Sequence, residues 1–193
     1  MNFLGHLYFS NNNLDLMVAN LFGDFCKGKR YLEYPKDIQR GVILHRDIDF
    51  YVDNHNSVVE VRKKLHGPLP KISGIAIDLY FDHLLSKNWH LYHPKSLLAF
   101  LELFYNHTLT INETYPKEFL HFIKKLRESK WMNHYPSTFA FQKSCEGVSR
   151  RLSFDNELKN APTLIAPYES MLFEAFKVYM RDAQIRFNST AHN

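Results

Sequence analysis

From Pro35 onward, Ile38, Val42, His45, Asp49 and Val52 follow one another at steps of four, three, four and three, the spacing of a single helical face. A stripe of this length commits the segment to a helix with one side buried, yet two of its positions are ionisable. The stretch reads HRDIDFYVDNH over 45–55. A charge on a core-facing stripe is costly unless it is paired or bound to a metal. Any fold open to this chain must therefore compensate His45 and Asp49 within it.

The same device recurs on two other predicted helices. Asn20 and Asp24 are four apart and follow Met17 on one face, and Asp78 and Asp82 are four apart between Ile75 and Leu85, with His83 beside Asp82. Such pairs put two ligating atoms on consecutive turns, and facing helices can complete a metal cage from the interior of a bundle. Carboxylates mixed with imidazole, with no thiolate nearby except Cys26, favour Mn²⁺, Mg²⁺ or Fe²⁺ over a structural zinc. Each pair also has a plainer reading, as a solvated face or a surface ion pair. Arg46, beside the stripe, can reach a phosphate with its planar fork or pair with Asp47. Asp53 extends the stripe by a further four-residue step, where it can orient a ligand. His6, in an apolar run with Phe3, Leu4 and Leu7, reads by composition as a satisfied core residue.

The chain has 193 residues, 45% of them hydrophobic, with 7 Gly and 8 Pro, enough for one core and too few breakers to interrupt long helices. Alternating strand patterns are scarce, so the expected class is all-α, a single compact multi-helix domain over 1–193. Helices are predicted near 14–26, 35–65, 71–92, 95–110, 116–131, 137–150 and 164–187, separated by NNNLD (11–15), GPLP (67–70), YHPK (92–95) and TYPKE (114–118). The aromatic and Met stripe of 164–187 reads as core, and the polar ending 188–193 is expected to fray. A formal charge of +4 is a mild excess that suits acidic partners and lacks the dense basic stripe of a dedicated nucleic-acid binder; charge alone decides little, and no nucleic-acid partner is expected. No apolar run is long enough to span a membrane, so no membrane partner is expected. Two distant cysteines and the absence of a leader pattern point to the cytoplasm, which makes the sequon-like triplets at Asn106, Asn112 and Asn188 chance.

Four segments in order carry a resemblance to a known family. MNFLGHL (1–7), ANLFGDFCKG (19–28), HRDIDFYVD (45–53) and IDLYFDHLLSKNW (77–89) are similar to motifs of the acyl carrier protein phosphodiesterases, and GVSRR (147–151) matches in kind. The resemblance implies a helical bundle distantly related to the HD-type phosphohydrolases. It also implies a divalent metal, Mn²⁺ above all, and hydrolysis of the phosphodiester that joins 4′-phosphopantetheine to a serine of acyl carrier protein. Carried onto this sequence, the motif positions are His6, Asn20, Asp24, His45, Arg46, Asp49, Asp53, Asp78, Asp82 and His83. On that basis Asp24, Asp49, Asp82 and His83 are the expected metal ligands. His45, Arg46 and Asp78 are the expected catalytic groups, with His45 either a ligand or a general acid, and His6, Asn20 and Asp53 support them. The adjacent pair reads Asp82-His83 where HD proteins have His-Asp. Carrier proteins are acidic, so Lys27, Lys29 and Arg30, just after Asp24, are the expected docking cations, although a solvated helix end would also account for them. Two other readings stay open: a phosphohydrolase acting on a different phosphate ester, and a non-catalytic helical protein that binds the carrier.

Overall fold

The computed structural model describes residues 1–188, so the polar ending from 189 onward lies outside the described residues. Every regular element among these residues is helical. Helix α1 (Phe3–Tyr8) leads through a turn in which Asn11 and Asn12 take φ of 53° and 60° into α2 (Leu14–Leu21), whose first turn is capped by the Asn13 side chain accepting from Leu16 N–H at 3.0 Å. The chain then passes through a 3-10 turn at Phe22–Phe25, and α3 (Lys36–Asn54) starts after Pro35.

The stripe expected to run unbroken over 35–65 is divided at His55, whose extended backbone separates α3 from α4 (Asn56–Leu65). No proline or glycine makes this break. The His55 ring contacts Ser57 Oγ at 2.9 Å and Asp182 Oδ2 at 3.3 Å, which fastens the corner to the last helix. Helices α5 (Ser73–Lys87), α6 (Leu97–His107), α7 (Lys117–Ser129) and α8 (Thr138–Ser149) follow, then the short α9 (Ala161–Ile165) and the closing α10 (Glu169–Asn188). Ser96 and Ser137 cap α6 and α8 by accepting from the amides of Ala99 and Ala140.

A single apolar cluster joins all of these elements. Leu4, Leu7 and Phe9, Val42 and Ile48, Phe81 and Leu85, and Phe176 and Tyr179 are fully buried within it. Helices α2 and α3 cross closely because Gly41 lies against Ala19, where an added Cβ would come within 2.2 Å of the alanine methyl. That contact sets the end of α2 beside α3, so that Asn20 and the 3-10 turn carrying Asp24 lie along the helix that carries His45 and Asp49. Among the described residues, no helix is long and apolar enough to cross a membrane.

Candidate metal centre

The site starts from α1, a helix of six residues with no side-chain cap of its own. Its first amides are satisfied from α5: Leu4 N–H and Gly5 N–H donate to the two oxygens of Asp82 at 2.8 and 3.1 Å. Burial lifts the Asp82 carboxyl to about 7, against the opposing pull of the Met1 amine and these two amides. The anchored turn brings the His6 ring over that of His45, stacked with centroids 4.1 Å apart and planes 18° apart.

Hydrogen bonding fixes the His6 tautomer. Asn20 donates through Nδ2 to the His6 carbonyl at 3.0 Å and to Ser10 Oγ at 3.1 Å, so its Oδ1 must accept, and the His6 Nδ1–H donates to it at 2.9 Å. Burial also holds the His6 pKa below its ordinary value, which disfavours a second proton on the ring. The Nε2 lone pair of His6 therefore faces Asp49 Oδ1 at 3.2 Å. Two acceptors at that distance repel unless a proton or a cation lies between them.

His45 completes the arrangement. Its Nε2 lies 3.2 Å from Asp49 Oδ2 and 3.5 Å from Asp24 Oδ1. Burial acts to lower its pKa, but Asp24 and Asp49 outweigh burial and hold it at about 9. Asp49 is likewise raised by burial, yet the two imidazoles bring it well below the usual carboxylate range. His45 Nδ1 is buried without a hydrogen-bond partner. The ring packs against Gly23 of the 3-10 turn, where a Cβ would fall 2.2 Å from His45 Cγ, so only glycine permits the approach.

One ligand atom from each of His6, His45 and Asp49 lies within 4.8 Å of the others. Asp24, about half exposed, adds an oxygen beside them. A buried imidazole lone pair aimed at a carboxylate fits a divalent cation, and a mixed nitrogen and oxygen donor set suits a transition ion better than calcium.

The profile of the family described as acyl carrier protein phosphodiesterase matches residues 1–183. The chain belongs to this family. Proteins named acyl carrier protein phosphodiesterase from Salmonella paratyphi A, Salmonella agona and Salmonella dublin are each 30% identical to it over 152 residues, covering 78% of this chain and 79% of the relative. No solved structure matches the chain.

In this member of the acyl carrier protein phosphodiesterase family, the four ligands expected from the motifs are not brought together. Asp24 and Asp49 meet, but in company with His6 and His45. Asp82 turns both oxygens to the α1 amides, and His83 Nδ1 bonds the Tyr135 carbonyl at 2.8 Å while its ring stacks on Phe141. Arg46, expected among the catalytic groups, is engaged with backbone carbonyls. Its terminal nitrogen donates to the carbonyls of Cys26 and Gly28 at 2.7 and 2.6 Å, and its guanidinium lies over the Tyr31 ring, so it fastens the loop after the 3-10 turn. Lys27, Lys29 and Arg30 are exposed on that same loop.

Asp78 and Asp53 line a cavity of about 490 Å³ together with His6, Asp24 and Asp49. Asp78 Oδ1 accepts from the Met1 amine at 2.9 Å, and Asp53 pairs with Arg62 at 3.0 Å. Phe3, Phe25 and Phe122 add apolar lining to the same cavity. Phe25 and Phe122 pack with centroids 5.1 Å apart, and Phe3 meets Phe122 edge-on at 5.3 Å. The cavity also receives Arg151, which the sequence offered only as part of an unassigned GVSRR match.

Proposed function

We propose that this protein is a metal-dependent phosphodiesterase that cleaves 4′-phosphopantetheine from the serine of holo acyl carrier protein, releasing apo carrier protein and free 4′-phosphopantetheine. The observation that carries the reading is the His6–Asp49–His45 cluster with Asp24 beside it, next to a cavity lined by His6, Asp24, Asp49, Asp53 and Asp78 together with Phe3, Phe25 and Phe122. His6, His45 and Asp49 would hold the cation, with Asp24 as a further oxygen, and Mn²⁺ is the ion favoured, ahead of Mg²⁺ or Fe²⁺. When bound there, such a cation would supply polarisation of a phosphoryl oxygen and a lowered pKa of bound water.

The chain's own groups supply position. Asn20 keeps the proton of His6 on Nδ1 and so keeps Nε2 open to the cluster. Asp49, held ionised between two imidazoles, fixes the spacing of their Nε2 atoms. Asp78, on the cavity wall with Oδ1 on the Met1 amine, is the carboxylate assigned to orient the attacking water through its other oxygen for an in-line displacement. The Phe3, Phe25 and Phe122 wall offers an apolar face to the pantetheine arm and keeps bulk water away from the phosphate. We place the protein in the cytoplasm, in keeping with Cys26 and Cys145 as separate buried thiols.

Incubation with holo acyl carrier protein and Mn²⁺, followed by mass analysis of the carrier, tests the reading. Loss of the phosphopantetheine mass supports it. Binding of the carrier with no change in mass refutes it in favour of a docking protein, and turnover of other phosphate esters with an intact carrier refutes it in favour of a different substrate.

A further inference from the structure

Each carboxylate that lines the cavity already has a cationic or imidazole neighbour. Asp78 has the Met1 amine, Asp53 has Arg62, Asp49 has His6 and His45, and Asp24 has His45. Arg151 lines the same cavity, and among the described residues its guanidinium has no ion pair or hydrogen bond. It stands in the turn that follows α8, where its backbone N–H closes onto the Val148 carbonyl at 2.9 Å and Val148 itself reaches the cavity wall. Arg150, one residue earlier, points elsewhere: it lines a separate outer groove with Gln142, Glu146 and Lys159. The turn thus sends two adjacent arginines to different surfaces, one of them into the cavity that holds the metal cluster.

A guanidinium facing a cavity whose own carboxylates are already compensated is available to a ligand's negative charge. Its fork matches two oxygens of a phosphate and cannot be neutralised by deprotonation near neutral pH. Arg46, the arginine that the motif suggested for this task, is turned to the Cys26 and Gly28 carbonyls instead. We infer that Arg151 is the phosphate-binding arginine of this site, gripping the non-bridging oxygens of the phosphodiester, while Arg46 serves the loop. The inference rests on the phosphodiesterase reading, and it extends to any phosphodiester that enters the cavity, whatever the leaving group.

The test compares wild type with Arg151→Gln, Arg151→Lys and Arg150→Gln on two substrates, holo acyl carrier protein and bis(4-nitrophenyl) phosphate, with Mn²⁺ present and thermal midpoints recorded. Arg151→Gln should lower kcat/KM on both substrates by on the order of 10²-fold, as for loss of one preorganised charge donor. It should also raise the inhibition constant for inorganic phosphate. Arg151→Lys should recover part of the loss, guanidinium in the buffer should partly rescue Arg151→Gln, and Arg150→Gln should match wild type. A folded Arg151→Gln within about twofold of wild type on the small diester would overturn the inference, as would a loss confined to the carrier protein, which would mark Arg151 as a docking residue. Should Arg151→Gln fail to fold, Arg151→Lys decides: an unchanged phosphate inhibition constant and unchanged turnover overturn the inference. A wild type that hydrolyses the small diester but leaves the carrier intact refutes the carrier reading alone, and the Arg151 comparison then stands on the small diester.

Discussion

His45 is held at about 9 because Asp24 and Asp49 outweigh its burial, so in the metal-free protein a proton does the work that a cation would do. A histidine whose folded pKa lies above its ordinary 6.5 gives stability that is fully present below 6.5 and is lost as pH rises through about 9. Metal-free protein unfolded in urea should therefore lose roughly 1–3 kcal/mol between these limits. Asp82, raised to about 7, slopes in the same direction over a lower window, from its ordinary 3.8 upward. His45→Gln separates the two by flattening only the upper window, and an unaltered upper slope in that variant would show the assignment to be wrong. Metal binding must displace the His45 proton, so apparent Mn²⁺ affinity should rise by about tenfold per pH unit up to that pKa and then level off. Isothermal titration at several pH values measures this directly.

At the scale of the elements, α1 is the least stable part by itself and the one on which His6 depends. Six residues cannot form an isolated helix, and α1 is held by the Asp82 carboxylate on its first amides. Asp82→Ala should cost roughly 1–3 kcal/mol of metal-free stability by leaving two buried donors without acceptors. The folded fraction should still bind metal at wild-type stoichiometry, because His6, His45 and Asp49 are intact. Elemental analysis showing loss of metal from a stable Asp82→Ala protein would restore Asp82 as a ligand. This element was not legible in the sequence, where FLGHLY is too short to show a helical period and its cap lies 78 residues away. The stripe of α3 was legible, since Ile38, Val42, His45, Asp49 and Val52 share a face on the page and in the fold. The break at His55 was not, because its cause is a contact with Asp182 on α10 and not a local breaker. In the site, spacing revealed the pair His45 with Asp49 on α3, whereas the helix expected over 14–26 ends at Leu21, which leaves Asn20 on α2 and Asp24 in the 3-10 turn. Spacing could not reveal which helices face one another, so nothing in it set His6 against Asp49 or put Asp82 on the first amides of α1. Arg151 was hidden for the same reason, since the direction of a side chain in the turn after α8 is decided by packing.

For the molecule as a whole, the proposed activity requires that a macromolecular substrate deliver a flexible arm to this cavity. The cavity wall at Asp24 and Phe25 continues directly into the exposed loop of Lys27, Lys29 and Arg30, and Arg46 ties the loop to α3 through the carbonyls of Cys26 and Gly28. The loop thus sets three exposed cations next in the chain to the cavity-lining Asp24 and Phe25, and on the proposed activity it is the edge offered to an acidic carrier. Charges at such a rim act mainly on encounter and on salt dependence, not on the chemical step. Replacing Lys27, Lys29 and Arg30 together by Glu should raise KM for holo acyl carrier protein by about tenfold or more at low ionic strength, with kcat little changed. Turnover of bis(4-nitrophenyl) phosphate, which needs no docking, should stay within about twofold of wild type. Added salt should weaken wild-type activity on the carrier and narrow the gap to the variant, because screening removes the attraction in one and the repulsion in the other. Equal losses on both substrates would mean that the loop supports the cavity rather than the partner. No loss on either would leave the three cations as solvated surface and move the docking face to another side of the bundle.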